Sequence, residues 1–309
     1  MMPVFAVLLA AICFGTTGTA QAFGPADASA GSVGAARILI GGGLLGIVAI
    51  VLQLRARSRT IRPGEAGGGR LRHGVPSWLL VAVGALGVLT YQPAFFAGTS
   101  ANGVAVGTVV ALGSAPVLTG LLDWALRRRF PGRRWLLATI VATAGVVLIS
   151  GLVGAGTSTV SLPGILASLG AGASYAVYTL AAKALLQRGW GATSTMGTLF
   201  GVAALGSIPL LLASDAAWLL TADGLALALW LGVVTTALAY LLFGWGLARL
   251  PAATVSTLTL AEPLTATVLG TLVLGELLSG QAVAGLIVLA AGLVILAFPG
   301  RRRAALAGA

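Results

Sequence analysis

The sequence predicts an all-α polytopic membrane protein, with ten transmembrane helices arranged as two inverted five-helix repeats. Three observations predict it. The chain is 58% hydrophobic and 8% charged, with 45 glycines and a mean hydropathy of +1.03, whereas a soluble chain carries roughly a quarter charged residues. Apolar runs of about 20 residues, each sufficient to cross a hydrocarbon core of about 30 Å, fill nearly the whole length. The segment Ala115-Pro116-Val117-Leu118-Thr119-Gly120-Leu121-Leu122 returns as Glu262-Pro263-Leu264-Thr265-Ala266-Thr267-Val268-Leu269, and the match resumes from Gly145-Val146-Val147-Leu148-Ile149 to Gly292-Leu293-Val294-Ile295-Leu296.

In order, the predicted spans are 4–22, 33–54, 77–97, 103–126, 135–153, 162–186, 194–213, 225–247, 252–274 and 281–298. An open sheet would leave backbone groups unpaired in lipid, and a barrel would show alternating segments of about ten residues, so these runs are helices. The first span ends in Ala20-Gln21-Ala22, which resembles a signal-peptidase site. It lacks a basic leader, however, and its removal would leave an odd span count, so it reads as a span. Its Cys13 is the single cysteine and reads as a small packing residue. The second span carries Gly41 to Gly43 and leads into the longest polar connection, Arg55 to Pro76, a Gly- and Arg-rich flexible loop. The third holds Pro93, which frees a carbonyl. In the fourth, Gly103 and Gly107 are spaced for a helix crossing, and Gly285 and Gly292 supply small residues to the tenth.

Charge fixes how the spans are threaded. Every basic residue except Arg37 and Lys183 falls after an even-numbered span, while Asp27, Asp215, Asp223 and Glu276 lie at the opposite ends. Basic residues collect on the cytoplasmic side, so this is a multi-pass cell-membrane protein with both termini cytoplasmic. The net charge of +11 then sets topology and implies no nucleic-acid partner. The repeat is consistent with that threading: Arg129, Arg133 and Arg134 of the first copy align with Glu276, Gly280 and Gln281 of the second. Five spans per copy is an odd number, so a second copy enters from the other side, as in transporters whose site lies between inverted halves. The halves are 3–152 and 162–298, followed by a basic cytoplasmic tail at 299–309.

The two five-span halves, Arg37 early in span two, and Glu262-Pro263 with Gly275-Glu276 in and after span nine together resemble the EamA-type members of the drug/metabolite transporter superfamily. The resemblance implies ten helices, a central cavity lined largely by spans one, three, four, six, eight and nine, and transport of small metabolites, often as export. The first half departs from the second in carrying Ala115 before its proline and Arg129 at the place of Glu276.

Glu262 is the acid nearest mid-membrane, about 15 Å along span nine. An acid there costs on the order of 2.5–3.5 kcal/mol on insertion scales, so it faces a cavity or a partner. Two readings stand open: a site for a coupling proton or a substrate amine, or a neutral or hydrogen-bonded acid packing the Pro263 kink. Arg37, one turn inside span two, is either a clamp for a carboxylate or phosphate or a side chain that snorkels or bonds structurally to neighbouring carbonyls. Lys183 reads as snorkelling. The remaining substrate-binding candidates are Thr16, Thr17, Gln21, Tyr91, Gln92, Phe95, Tyr175, Tyr178, Tyr240 and Trp245, a mostly aromatic set with a few orienting polar groups. For each alone, a hydrogen bond between packed helices is the competing reading.

The function expected is a secondary transporter of a small organic metabolite (an amino acid, amine, carboxylate or drug-like compound) working by alternating access. The alternatives are an intramembrane lipid-modifying enzyme and a channel or structural protein. The acids are scattered, and His73 is the single histidine, with no cysteine pair near it, so no catalytic or metal constellation is visible and no cofactor is expected. There is no phosphate loop for ATP, which leaves a proton, another ion, exchange or the solute gradient as the drive. Partners are then the solute, the bilayer and a coupling proton, for a monomer or weak homo-oligomer.

Overall fold

The computed structural model describes residues 1–59, 75–151 and 161–298, all helix and connection with no strand among them. Helix α1 is Met2–Ala22, with Pro3 in its first turn, where a missing N–H costs nothing. Helices α2 (Ala30–Arg59), α3 (Ser77–Arg127) and α4 (Arg133–Ile149) follow, then α5 (Leu162–Gln187) and α6 (Ala192–Leu212). A short 3-10 turn at Ala217–Leu220 leads into one continuous run: α7 (Ala222–Leu229), a π-helical stretch over Trp230–Leu238, and α8 (Ala239–Arg249). The chain ends with α9 (Ala252–Leu258), α10 (Ala261–Leu274) and α11 (Gly280–Ala297). Part of the predicted basic loop and the whole basic tail lie outside the described residues, with His73, Arg62, Arg70, Arg72 and Arg301 to Arg303.

Eight helices among the described residues are long and apolar enough to cross a membrane, against the ten spans that the sequence predicts. The chain is thus a multi-pass membrane protein, and the two counts differ at two places. Helix α4 has 17 residues, at the lower end of what spans a hydrocarbon core. Helix α3, 51 residues long, runs through both the third and the fourth predicted spans, with Gly103 at φ 81° and ψ 156° inside it. Eight residues of straight helix would separate Thr99 from Gly107 by about 12 Å, yet a Cβ on Gly107 would lie 2.6 Å from the Thr99 Cα. The chain therefore reverses at Gly103, and α3 is two antiparallel arms. Only glycine adopts that backbone readily. The Gly103/Gly107 spacing marks this reversal rather than the helix crossing expected of it.

Helices pair in a regular scheme. Helix α2 packs on α6, α4 on α11, α5 on both arms of α3, and α1 on both α10 and the Ala222–Arg249 run. Small residues permit the closest approaches: a Cβ on Gly285 would meet the Ile149 backbone nitrogen at 2.6 Å, and one on Gly292 that of Ala142 at 2.6 Å. The largest buried side chains, among them Val7, Leu185, Met196, Phe243 and Leu247, come from where α1 begins, α5 ends, α6 begins and α8 ends. Much of the apolar core therefore lies toward one end of the bundle, and the other end holds a smaller cluster of Val33, Ala36, Trp218, Leu227, Ala228 and Leu231 beside the cavity.

Candidate functional site

A cavity of about 450 Å³ opens among the last turns of α1, the first turns of α2, both arms of α3 near their reversal, and the end of α4. Its deeper wall is made by α5, Tyr240 and the junction of α9 with α10. Thr17, Gln21, Arg37, Tyr91, Gln92, Phe95, Tyr175, Tyr178, Tyr240 and Glu262 all line it. Thr16 and Trp245 do not. The Thr16 hydroxyl donates to the Cys13 carbonyl (2.7 Å) and accepts from Trp230 Nε1 (3.0 Å), and the Trp245 ring lies 4.0 Å beneath the Arg249 guanidinium. The cavity also takes in Arg37 and Val33 of α2 and Ser150 of α4, so the second and fifth predicted spans contribute beside the six that the family resemblance implies.

Glu262 sits at a break in the helix. Helix α9 stops at Leu258, Thr259 and Leu260 form a turn, and α10 starts at Ala261 with Glu262 in its first turn. Pro263 has no N–H to continue the ladder, and the Glu262 N–H instead donates to the Thr259 carbonyl at 2.9 Å. The N–H of Leu260 likewise donates to the Thr257 carbonyl at 3.1 Å, so the turn tightens the backbone between α9 and α10 while Thr259 and Leu260 keep right-handed helical angles. Among the described residues the Glu262 carboxylate has no hydrogen bond and no ion pair. Its nearest opposite charge on the cavity wall is Arg37, which acts on it electrostatically. The hydrogen-bonded form of the packing reading therefore finds no partner here, while a neutral acid packing the Pro263 kink needs none.

The aromatic wall is held in place by its own contacts. Thr259 spends its hydroxyl proton on the Ser256 carbonyl (2.8 Å), so the Tyr175 hydroxyl donates to Thr259 Oγ1 at 3.0 Å. The hydroxyls of Tyr178 and Tyr240 meet at 3.2 Å. Tyr240 packs on Phe14 with centroids 5.0 Å apart and on Phe200 at 4.0 Å. Rings fixed in this way offer apolar area with a few fixed polar points, which suits a small organic molecule. No feature of the sequence marked Thr259, Ser256, Phe14 or Ser150 for this wall.

The opposite end is closed. Lys183 Nζ donates to the carbonyls of Leu247 (2.7 Å) and Leu250 (2.8 Å), where α8 ends, so it caps a helix C-terminus instead of reaching for the membrane surface. Trp135 Nε1 donates to the Ala253 carbonyl (3.0 Å) and to Thr257 Oγ1 (3.1 Å), and Thr139 joins Thr257 at 2.8 Å. Arg127 pairs with Asp123 one turn earlier in α3. No group of three His, Cys, Asp or Glu able to hold a metal occurs among the described residues.

The model of the EamA-like transporter family matches this chain over residues 1–151 and 162–298. A curated relative from Bacillus subtilis (strain 168), described as "Uncharacterized transporter YwfM", is 38% identical over 298 residues, covering 96% of this chain and 94% of the relative. A solved structure described as "Crystal structure of protein" superposes with a TM-score of 0.76 over 97% of this chain and 98% of that one. At 20% identity, that likeness speaks for the fold alone.

Proposed function

Since the chain belongs to the EamA-like transporter family and is therefore a membrane transporter, we propose that it moves a small organic metabolite across the cytoplasmic membrane by alternating access, outward from the cell. The halves are 3–152 and 162–298, each with five spans once α3 is counted as two, and they lie inverted with both termini cytoplasmic. The helix pairing supports this arrangement: swapping each helix for its counterpart in the other half leaves the scheme of α2 with α6, α4 with α11, α1 with α8 and α10, and α5 with α3 unchanged. The basic loops support the orientation. On that orientation the cavity opens away from the cytoplasm, and the end closed by Lys183 and Trp135 is cytoplasmic.

The observation that carries the reading is the interrupted span nine, which sets an unpartnered carboxylate at a helix start inside a cavity of about 450 Å³. Broken helices at midplane, with helix ends facing the site, recur in secondary transporters. Glu262 is placed to hold either a proton or the ammonium of a solute, and competition between the two couples solute movement to a pH gradient. The test is transport by the purified protein in liposomes against a panel of amino acids, amines, carboxylates and aromatic compounds, with and without an imposed pH gradient. For the solute that responds, Glu262→Gln is expected to lower gradient-driven flux at least tenfold and to remove its pH dependence. A variant with unchanged gradient-driven flux rejects the coupling role, and no movement of any solute rejects transport of this class.

A further inference from the structure

Arg37 reaches the cavity from α2, and its orientation is set by a residue that the sequence did not single out. Thr236 lies in the π-helical stretch Trp230–Leu238. Its hydroxyl donates to the carbonyl of Leu231, five residues back, at 2.8 Å, while the neighbouring Thr235 donates to the same carbonyl from the usual four residues away. In an α-helix a residue five positions on is rotated about 140° from its starting point, so this bond depends on the wider π turn. The hydroxyl has a single proton, now spent on Leu231, and presents lone pairs outward. Arg37 Nε fills one of them at 3.3 Å. One turn further along α2, Gly41 lets the two elements close up, since a Cβ there would meet the Gly232 carbonyl and the Thr236 side chain.

Among the described residues Nε is the only Arg37 nitrogen with a hydrogen-bond partner. A guanidinium grips a carboxylate either by Nε with one terminal nitrogen or end-on by the two terminal nitrogens. With Nε held by Thr236, the end-on pair remains. We propose that Thr236 is a positioning residue for transport: the π-helical bond to Leu231 fixes its hydroxyl, the hydroxyl fixes Arg37, and Arg37 presents an end-on fork to a carboxylate group of the solute. This rests on the reading of the cavity as the solute site.

The test measures binding of benzoate and of the neutral benzyl alcohol to the full chain in lipid nanodiscs by saturation-transfer NMR, with protein-free discs as the blank. The unaltered protein is expected to prefer benzoate about tenfold, and Arg37→Gln to abolish the preference. Thr236→Val, which keeps the branched shape and loses the hydroxyl, should weaken benzoate by about fivefold with benzyl alcohol unchanged, and Thr236→Ser should restore it. A merely structural threonine would weaken both probes alike and would not be rescued by serine, and that result overturns the proposal. So does an absence of benzoate binding by the unaltered protein. If Arg37→Gln loses the preference while Thr236→Val keeps it, the positioning role alone fails. Equal binding by the unaltered protein and Arg37→Gln instead removes Arg37 from the solute site.

Discussion

Ala115-Pro116 and Glu262-Pro263 occupy matching places in the two copies of one sequence pattern, and Ala115, Glu262 and Pro263 reach the same cavity. The backbones around them differ. Helix α3 continues through Pro116, whereas the second copy stops at Leu258 and begins a new helix at Ala261. The unbroken copy is apolar and serves as wall. The second copy is interrupted by the turn at Thr259 and Leu260 and carries an acid just after it, so an interruption and a charge have arrived together. Similar sequence thus yields an apolar wall in one copy and a cavity-facing carboxylate beside a helix interruption in the other.

The most severe way to break this comparison is to give the first half the acid without the break. Ala115 is 5% exposed on an intact helix, and its amide lies 3.2 Å from where a Cβ on Gly172 would be. Ala115→Glu adds an acid at a cost of about 2.5–3.5 kcal/mol in mid-membrane and about 1–3 kcal/mol of overpacking. Those sums rival the whole stability of many domains. The expected outcome is little monodisperse protein after detergent extraction, read by fluorescence-detected size exclusion. A well-folded, transporting Ala115→Glu would mean that the helix break is not what makes an acid tolerable.

The halves differ again at the two ends of the bundle. In the second half, Lys183 of α5 is bonded to the end of α8, and that end is shut. In the first half, the counterparts α1 and the first arm of α3 stand apart across the cavity, with Thr17 and Gln21 on one side and Tyr91 and Phe95 on the other. Under the alternating access proposed above, these two conditions exchange. Lys183→Met removes two bonds from a charged donor, each worth about 1.5–3 kcal/mol, and the closed end should open more often. With Cys13→Ala as background and Ala252→Cys as reporter beside the α8 end, labelling by a membrane-impermeant maleimide added on the side of the closed end should rise about tenfold, which corresponds to about 1.4 kcal/mol. Unchanged labelling would show that the closed end is held by its apolar core alone.

Much of this was legible in the sequence, and what was not has identifiable physical causes. Length and hydropathy located each apolar run, since lipid permits few alternatives to helix. They also separated the third and fourth spans at 98–102, but could not show that the reversal is made by the backbone of a single glycine, Gly103, at φ 81° and ψ 156°. Chemistry-bearing types such as Arg37 and Glu262 stand out in lipid, and both line the cavity. Thr16 and Trp245 fell elsewhere because a helix apolar on every side carries no phase from which to read its inward face. The π-helical stretch was equally silent: Trp230–Leu238 has the composition of an ordinary span, and its effect on Arg37 emerges only from the Thr236 bonds.

The smallest expected effect compares two helix ends. Helix α3 closes with Arg128 in the left-handed region at φ 56°, ψ 24°, and α10 closes at the matching position with Gly275 at φ 71°, ψ 20°. Both copies thus close through a left-handed residue, Arg128 bonding back to the Trp124 carbonyl and Gly275 to that of Gly270, but one uses a residue whose Cβ makes the conformation cost about 1–2 kcal/mol. Arg128 stands in a basic cluster with Arg127, Arg129, Arg133 and Arg134, whereas Gly275 precedes Glu276; under the inverted orientation proposed above, the positive-inside rule calls for basic residues only at the first of these ends. The first half therefore retains strain where the second is relaxed, and charge rather than conformation accounts for the choice. Arg128→Gly should raise the thermal stability of the detergent-solubilised protein by about 1 kcal/mol, and Gly275→Ala should lower it by a similar amount. If Arg128→Gly is instead destabilising, the Arg128 side chain makes a contact worth more than its backbone strain, and the two caps are not equivalent.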